Sequence, residues 1–322
     1  MIPAVPTVEM IRAGDRRALA RAITLVESRL EADQRAAEQL LTALLPHAGK
    51  ALRIGITGAP GVGKSTFIET LGTRLCNRGH KVAVLAVDPS SAVSGGSILG
   101  DKTRMAELAR HPNAYIRPTP GGTVLGGVAA HTREAMLVCE AAGFDIVLVE
   151  TIGTGQSETA VAAMVDVFLL LLSPAAGDEL QGIKRGVMEL ADAIVVHKAD
   201  GDLLPAAERA KQQCLVAVHI LRSGDVPPVL LASSQAGSGI DEAWQAILDR
   251  TDQARGSGRF DARRAEQAEH WLHAALQEAL LSRFEALPQV QAAMAGFVDR
   301  VRTGAVVPAA AVRQLLLLGG MS

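Results

Sequence analysis

Residues 53–57, RIGIT, have the β-branched, apolar make-up of a short strand, and residues 65–77 have the apolar spacing of a helix. Between them lies Gly58-Ala-Pro-Gly-Val-Gly63-Lys64-Ser65, which fills every fixed position of the GxxxxGK(S/T) phosphate-binding loop. A strand, this loop and a helix in that order constrain the chain to an α/β layer in which backbone N–H groups and a helix N-terminus face a chain of phosphates. Lys64 supplies a point charge to the outer phosphates, and the Ser65 hydroxyl is placed to ligate Mg²⁺. Gly58, Pro60, Gly61, Val62, Gly63 and Thr66 complete the expected phosphate-contacting set. The motif predicts a nucleoside triphosphate ligand and leaves open which base it carries and what its hydrolysis controls.

With 322 residues, 48% of them hydrophobic, the chain can bury a core large enough for one sizeable α/β domain with helical additions. A net charge of −2 provides no basic field, which argues against nucleic acid or an anionic membrane as the primary partner. Cys76, Cys139 and Cys214 are far apart in apolar helical surroundings, where buried thiols are the expectation, and a cytoplasmic location fits them. Residues 1–6 lack the basic segment and apolar core of a secretory signal. The longest apolar runs, such as 167–172 and 315–318, are too short to span a bilayer.

Residues 7–45 carry apolar positions at helical spacing, Leu19, Ile23, Val26 and Leu30 and then Leu40 and Leu44, which predicts one or two amphipathic helices. Strand-like runs follow at 82–87, 115–117, 145–150, 167–172, 193–197 and 229–231, alternating with helical patterns at about 102–110, 126–142, 157–164, 182–190, 206–221 and 240–250. That alternation predicts a mostly parallel, doubly wound sheet with N- and C-terminal helical extensions. Gly256-Ser257-Gly258 punctuates the end of the sheet domain, and helices separated by Pro288 and Pro308 follow. The expected organisation is an N-terminal helical extension at 1–48, a nucleotide domain at 49–255 and a C-terminal helical region at 256–322.

In open α/β sheets the ligand sits at the carboxyl ends of the strands, so acidic residues there are candidate metal groups. Asp88 follows the run ending at Val87, Asp101 lies in GGSILGDKTR, and Glu150 ends DIVLVE. Each can approach Mg²⁺ directly or through water, and Asp88 has helix capping as an alternative role. In the segment after Glu150, the Gly153 backbone N–H is placed to meet the terminal phosphate, and Gly155 lets the loop rearrange when that phosphate leaves. Gln156 is a candidate catalytic residue beside Lys64 and Glu150, with a structural role the alternative. The base is expected at His197-Lys198-Ala199-Asp200, where a carboxylate accepts from the ring N–H and exocyclic amine of guanine, a donor pair adenine lacks. The Lys198 stem would cover the base plane, and Ser233 and Ser234 would offer backbone N–H groups to the guanine oxygen.

Taken together, GAPGVGKST, VLAVDPSS, GGSILGDKTRM, FDIVLVETIGTGQSE, AAGDELQGIKRG and HKAD resemble the methylmalonyl-CoA mutase-associated GTPases, the MeaB/ArgK family of the SIMIBI class of P-loop GTPases. The resemblance spans almost the whole chain, from GDRRALARAITLVES at 14–28 to the C-terminal helices. GDKTRM and ETIGTGQSE together are specific, whereas the phosphate loop alone would fit a very large superfamily. The resemblance implies that Lys64 and Ser65 contact phosphates and Mg²⁺, that Asp88, Asp101 and Glu150 form the metal and switch apparatus, and that Asp200 selects guanine. It implies further that residues 175–185, with Asp178, Glu179, Gln181 and Lys184, form a switch that contacts a client mutase and adjusts hydrolysis.

The family usually has Asn in NKxD where this chain has His197, so the contact an amide would make there must be replaced or lost. No DxHxxG pattern for cobalamin ligation occurs, so a cobalamin cofactor would belong to the partner. His270 and His273 are expected on a solvated helix face. The implied function is a slow, client-stimulated GTPase chaperone, a homodimer through its C-terminal helices, that gates cofactor loading and removal of damaged cofactor on an adenosylcobalamin-dependent acyl-CoA mutase. Methylmalonyl-, isobutyryl- and 2-hydroxyisobutyryl-CoA mutases are all possible clients. A metallochaperone GTPase and a P-loop kinase are the rival readings, the first lacking a Cys and His cluster and the second an acceptor pocket and base.

Overall fold

The computed structural model describes residues 5–28, 30–87, 105–119, 125–151, 157–174, 185–222 and 224–320. Seven strands, β1 (Leu52–Gly58), β2 (Val82–Val87), β3 (Ala114–Thr119), β4 (Ile146–Thr151), β5 (Val167–Leu172), β6 (Ala193–His197) and β7 (Val229–Ala232), form one sheet in the order β3-β2-β4-β1-β5-β6-β7. Every neighbouring pair is parallel, so each connection crosses over a face of the sheet.

The sequence of β5, VFLLLL, explains how a sheet covered on both sides is built. Side chains alternate between faces, so a continuous apolar run serves both. Leu169 and Leu171 join Ile54, Ile56 and Leu148 in one core, while Leu170 and Leu172 join Ile194 and Val196 in a second on the opposite face. Burying each leucine contributes about 2 kcal/mol.

On the first face, α4 (Lys64–Asn77) buries Phe67, Ile68, Leu71 and Leu75, and α10 (Ile240–Gly256) adds Trp244 and Ile247. The short α5 (Ala106–Arg110) seals one end of this core through Leu108. On the second face, α8 (Arg185–Leu190) contributes Met188, and α9 (Leu204–Leu221) contributes Ala207, Ala210, Cys214 and Val218. Helices α6 (Leu125–Ala141) and α7 (Ser157–Ala162) complete the crossovers from β3 and β4.

Before the sheet come α1 (Val8–Arg12), α2 (Arg16–Val26) and α3 (Glu31–Leu44), three helices where the periodicity predicted one or two. The breaks are local. Asp15 caps α2, its carboxylate accepting from the backbone N–H of Arg17 at 2.8 Å and Ala18 at 3.1 Å. The Ser28 hydroxyl donates to Asp33 at 2.6 Å just ahead of α3. Arg16 reaches the carbonyls of His111, Pro112 and Ala114, and Arg117 pairs with Glu27, which fastens these helices to the β3 side of the sheet.

The chain divides into two compact units, Met1–Gln267 and Ala268–Ser322. The helix break after Gly256 lies before that division, because the start of α11 (Arg259–Glu285) stays with the sheet. Arg264 pairs with Asp166 at 2.6 Å and donates to the carbonyls of Gly49 and Ala51, and the Gln267 amide donates to the Val165 carbonyl at 2.8 Å. The second unit holds the rest of α11 with α12 (Pro288–Arg302) and α13 (Pro308–Leu318), around Val290, Phe297, Ala311 and Leu315. Pro288 and Pro308 each open a helix, where the missing N–H costs nothing.

Candidate nucleotide site

The phosphate loop leaves the carboxyl end of β1 and runs into the N-terminus of α4. Two glycines make this turn possible. At Gly58 a Cβ would stand 2.4 Å from the Leu171 carbonyl oxygen, and at Gly63, with φ +97°, it would stand 2.8 Å from the His197 ring. Val62 is buried, while Pro60, Gly61 and Thr66 are exposed.

Lys64 is buried to 7% exposure, and its Nζ donates to the carbonyls of Gly58 at 2.7 Å and Ala59 at 3.1 Å. The ammonium therefore sits inside the curl of the loop. Burial lowers its pKa, and the carboxylates of Glu150 and Glu158 act against that shift. Glu158, at the start of α7 and 4% exposed, is a member of this charge cluster that sequence reasoning did not assign. Its segment, GQSE, was conspicuous, but nothing in residue type separates a buried Glu from one at a solvated helix start.

Glu150 is the penultimate residue of β4, beside β1, and its Oε1 accepts a 2.8 Å hydrogen bond from the Ser65 hydroxyl. One residue further on, the Thr151 hydroxyl donates to the Thr57 hydroxyl at 2.7 Å, locking the two strand ends together. Ser65 and Glu150 thus form an oxygen-donor pair at a helix N-terminus, the donor type that Mg²⁺ takes. The other metal candidates, Asp88 and Asp101, lie outside the described residues, as do Gly153, Gln156, Asp178, Glu179, Gln181 and Lys184.

The expected base-recognition segment follows β6 and folds back on the phosphate loop. The His197 ring is 2% exposed, with Nδ1 2.9 Å from the Val62 carbonyl oxygen and Nε2 2.7 Å from the Ser234 hydroxyl. Lys198 has φ +61°, the only positive φ among the described non-glycine residues, and its Nζ donates to the Gly61 carbonyl at 2.7 Å. Such a conformation costs about 1 to 2 kcal/mol and is found where a loop is held in a functional shape. Lys198 therefore reaches the phosphate loop with its ammonium, and its Cε lies 3.7 Å from where a Cβ at Gly63 would stand.

Asp200 is held by a relay. The Ala236 backbone N–H donates to the Ser233 hydroxyl at 3.0 Å, and that hydroxyl donates to Asp200 Oδ2. The Ser233 and Ser234 backbone amides were expected to face a guanine oxygen. In this structure the Ser233 N–H donates to the Ser238 carbonyl at 2.9 Å and the Ser234 N–H to His197 Nε2 at 3.3 Å. Both are committed within the protein, because the 233–238 segment closes as a tight turn through an antiparallel bridge between its ends.

A phosphate loop on the central strand of an all-parallel sheet, with a serine and a strand-end carboxylate at the helix N-terminus, defines a P-loop nucleotide-binding protein. Comparison narrows the class. Residues 19–289 match the family described as methylmalonyl Co-A mutase-associated GTPase MeaB. A Caulobacter vibrioides protein whose name carries the word GTPase is 53% identical across 100% of both chains. GTPase ArgK of Escherichia coli is 47% identical, with 96% of this chain and 94% of that protein covered. The mouse methylmalonic aciduria type A homolog, mitochondrial, is 46% identical, covering 94% of this chain and 76% of its own. A solved structure of a LAO/AO transport system kinase superposes with a TM-score of 0.76 at 41% identity, covering 96% of this chain and 94% of that one. This chain belongs to the MeaB family of mutase-associated GTPases.

Proposed function

We propose that the chain is a GTP-hydrolysing chaperone that gates cofactor loading, and removal of damaged cofactor, on an adenosylcobalamin-dependent acyl-CoA mutase. The observation that carries this reading is the match of residues 19–289 to a family described by its association with methylmalonyl-CoA mutase. The site geometry supports the nucleotide half of it. The loop amides, the N-terminus of α4 and Lys64 bind the phosphates, and Asp200 accepts from guanine. Ser65 and Glu150, with Asp88 and Asp101, would hold Mg²⁺, which would neutralise charge on the outer phosphate oxygens. The Gly153 amide would meet the terminal phosphate, and Gln156 is the candidate catalytic residue that follows it in sequence. A water oxygen bonds to the γ-phosphorus as the bond to the β–γ bridging oxygen breaks; the water's proton passes to the released phosphate, and GDP keeps the electron pair of the broken bond. Asp178, Glu179, Gln181 and Lys184 carry the client's presence to the site, and the C-terminal helices pair two copies in the cytoplasm.

The test is hydrolysis of γ-labelled GTP by the full chain, alone and with methylmalonyl-, isobutyryl- or 2-hydroxyisobutyryl-CoA mutase, with adenosylcobalamin transfer followed by absorbance. Slow release of labelled inorganic phosphate, accelerated by one of the mutases, is the expected result. Label transferred to an acceptor would establish the kinase reading instead. No acceleration and no effect on cofactor loading with any of the three would overturn the chaperone role.

A further inference from the structure

His197 stands where the phosphate loop, the end of β6 and the 233–238 turn converge. Its two ring nitrogens face different partners: Nδ1 meets a carbonyl that can only accept, from Val62, and Nε2 meets a backbone N–H that can only donate, from Ser234. The Ser234 hydroxyl, 2.7 Å from Nε2, completes the contact. These partners select one form of the ring, neutral with the proton on Nδ1. The ring is closely held, with the centroid of the edge-on Phe67 ring 5.8 Å from its own and so little room beside Gly63 that an added Cβ there would stand 2.8 Å from its Cε1 and Nδ1.

We infer that His197 is a positioning residue that fastens the phosphate loop to the 233–238 turn as the neutral Nδ1–H tautomer, and that guanine-nucleotide affinity therefore has an acid limb set by this ring. The inference rests on the nucleotide-site reading above. Protonation would turn Nε2 into a donor confronting the Ser234 N–H and leave a cation in a buried site. The charged groups facing the ring act in opposite senses. Lys198 disfavours the imidazolium and Asp200 favours it, both from the segment following β6, while burial is the largest influence and holds the pKa below the usual histidine range. The phosphate loop and α4 bring Lys64, and β4 brings Glu150, bonded to Ser65. The 233–238 turn, SSQAGS, carries no ionisable side chain. A ring with a depressed pKa keeps the bridge complete through neutral pH and loses it as pH falls through that depressed value. Only the bridged form is competent, so each pH unit below the midpoint weakens binding about tenfold.

The experiment is calorimetric binding of GDP with Mg²⁺ to the full chain, as wild type, His197→Asn and His197→Ala. An Asn carboxamide places an N–H where Nδ1 stands, so it can keep the donation to Val62 without titrating. As pH is lowered from neutrality into the acid range, wild-type affinity should fall more steeply than that of His197→Asn, whose own slope lacks any contribution from this ring. At neutral pH His197→Asn should bind far better than His197→Ala, and the Asn variant keeps the test decisive should the Ala variant fail to fold. Independently of nucleotide, ¹⁵N–¹H imidazole correlations should show the Nδ1–H tautomer for His197 at neutral pH. Superimposable pH profiles for wild type and His197→Asn, or an Nε2–H or doubly protonated ring at neutral pH, would overturn the inference. If wild type binds no GDP while the Nδ1–H tautomer is observed, it is the nucleotide-site reading that fails, and the acid limb with it.

Discussion

The Ser65 hydroxyl on α4 donates to Glu150 Oε1 at the end of β4 at 2.8 Å, so two residues 85 positions apart share one proton at the mouth of the phosphate loop. A hydroxyl that can turn from a carboxylate to a cation is suited to a site that alternates between metal-bound and metal-free forms. Ser65→Ala should therefore reduce the gain in GTP affinity that Mg²⁺ confers by about tenfold, equivalent to ~1.4 kcal/mol, while affinity in excess chelator stays close to wild type. Calorimetry with and without Mg²⁺ measures both. An unchanged Mg²⁺ gain would remove Ser65 from the metal set.

Asp200 is presented by the Ser233 hydroxyl and lies in the segment that follows β6, where guanine's paired donors would meet it. Asp200→Asn should weaken GTP by about 10- to 100-fold, the worth of a charge-assisted hydrogen bond, and improve xanthosine triphosphate, whose carbonyl the new amide can meet. ATP should bind poorly to both proteins. A wild-type protein that bound ATP as tightly as GTP in competition would show that Asp200 does not read the base.

The sheet could be read from the sequence because short continuous apolar runs such as VFLLLL and AIVVH admit few other structures in a chain that alternates them with helices. Helix ends were harder to see. The pattern for α10 stops near residue 250, yet the helix runs to Gly256, since its last turns, RTDQARG, are polar and only Thr251 among them is buried. In the candidate site, Lys64, Ser65, Glu150 and Asp200 stood out because their chemistry lies in the side chain and their spacing is fixed. The partners of His197 did not. One is the backbone carbonyl of Val62, which residue type does not encode, and the other is a serine 37 positions later. The Ser233 hydroxyl, rather than its amide, is what reaches toward the base segment, a distinction only the closed turn reveals.

The three cysteines are all buried and unpaired with one another. Burial pushes the thiols of Cys76 and Cys214 up to about 11 and raises that of Cys139 further. Thiolate, the reactive form, is therefore scarce at neutral pH, and access is blocked as well. A chromogenic disulfide reagent at about pH 8 should titrate none of the three in the native protein and all three in denaturant. Rapid modification of any one in the folded state would contradict its placement in the core.

The second compact unit leaves large apolar side chains uncovered along α11: Leu272, Leu276 and Leu280 are 67%, 52% and 53% exposed, each four residues from the next. Spacing of four places them along one flank of the helix, and Leu281 at 57% widens the strip. An isolated exposed leucine needs no explanation, but a strip of four on one helix marks an interaction surface. If the C-terminal helices pair two copies of the chain, a carboxylate in the middle of the strip would be buried without a partner, at a cost of several kcal/mol per ion, and in a symmetric dimer it would be introduced twice. Leu276→Glu should therefore convert a dimer into a monomer at micromolar concentration without disturbing GTP binding in the sheet unit. Sedimentation equilibrium gives the mass and calorimetry the affinity. A wild-type protein that sediments as a monomer, or a Leu276→Glu variant that remains fully dimeric, would exclude α11 as the pairing surface.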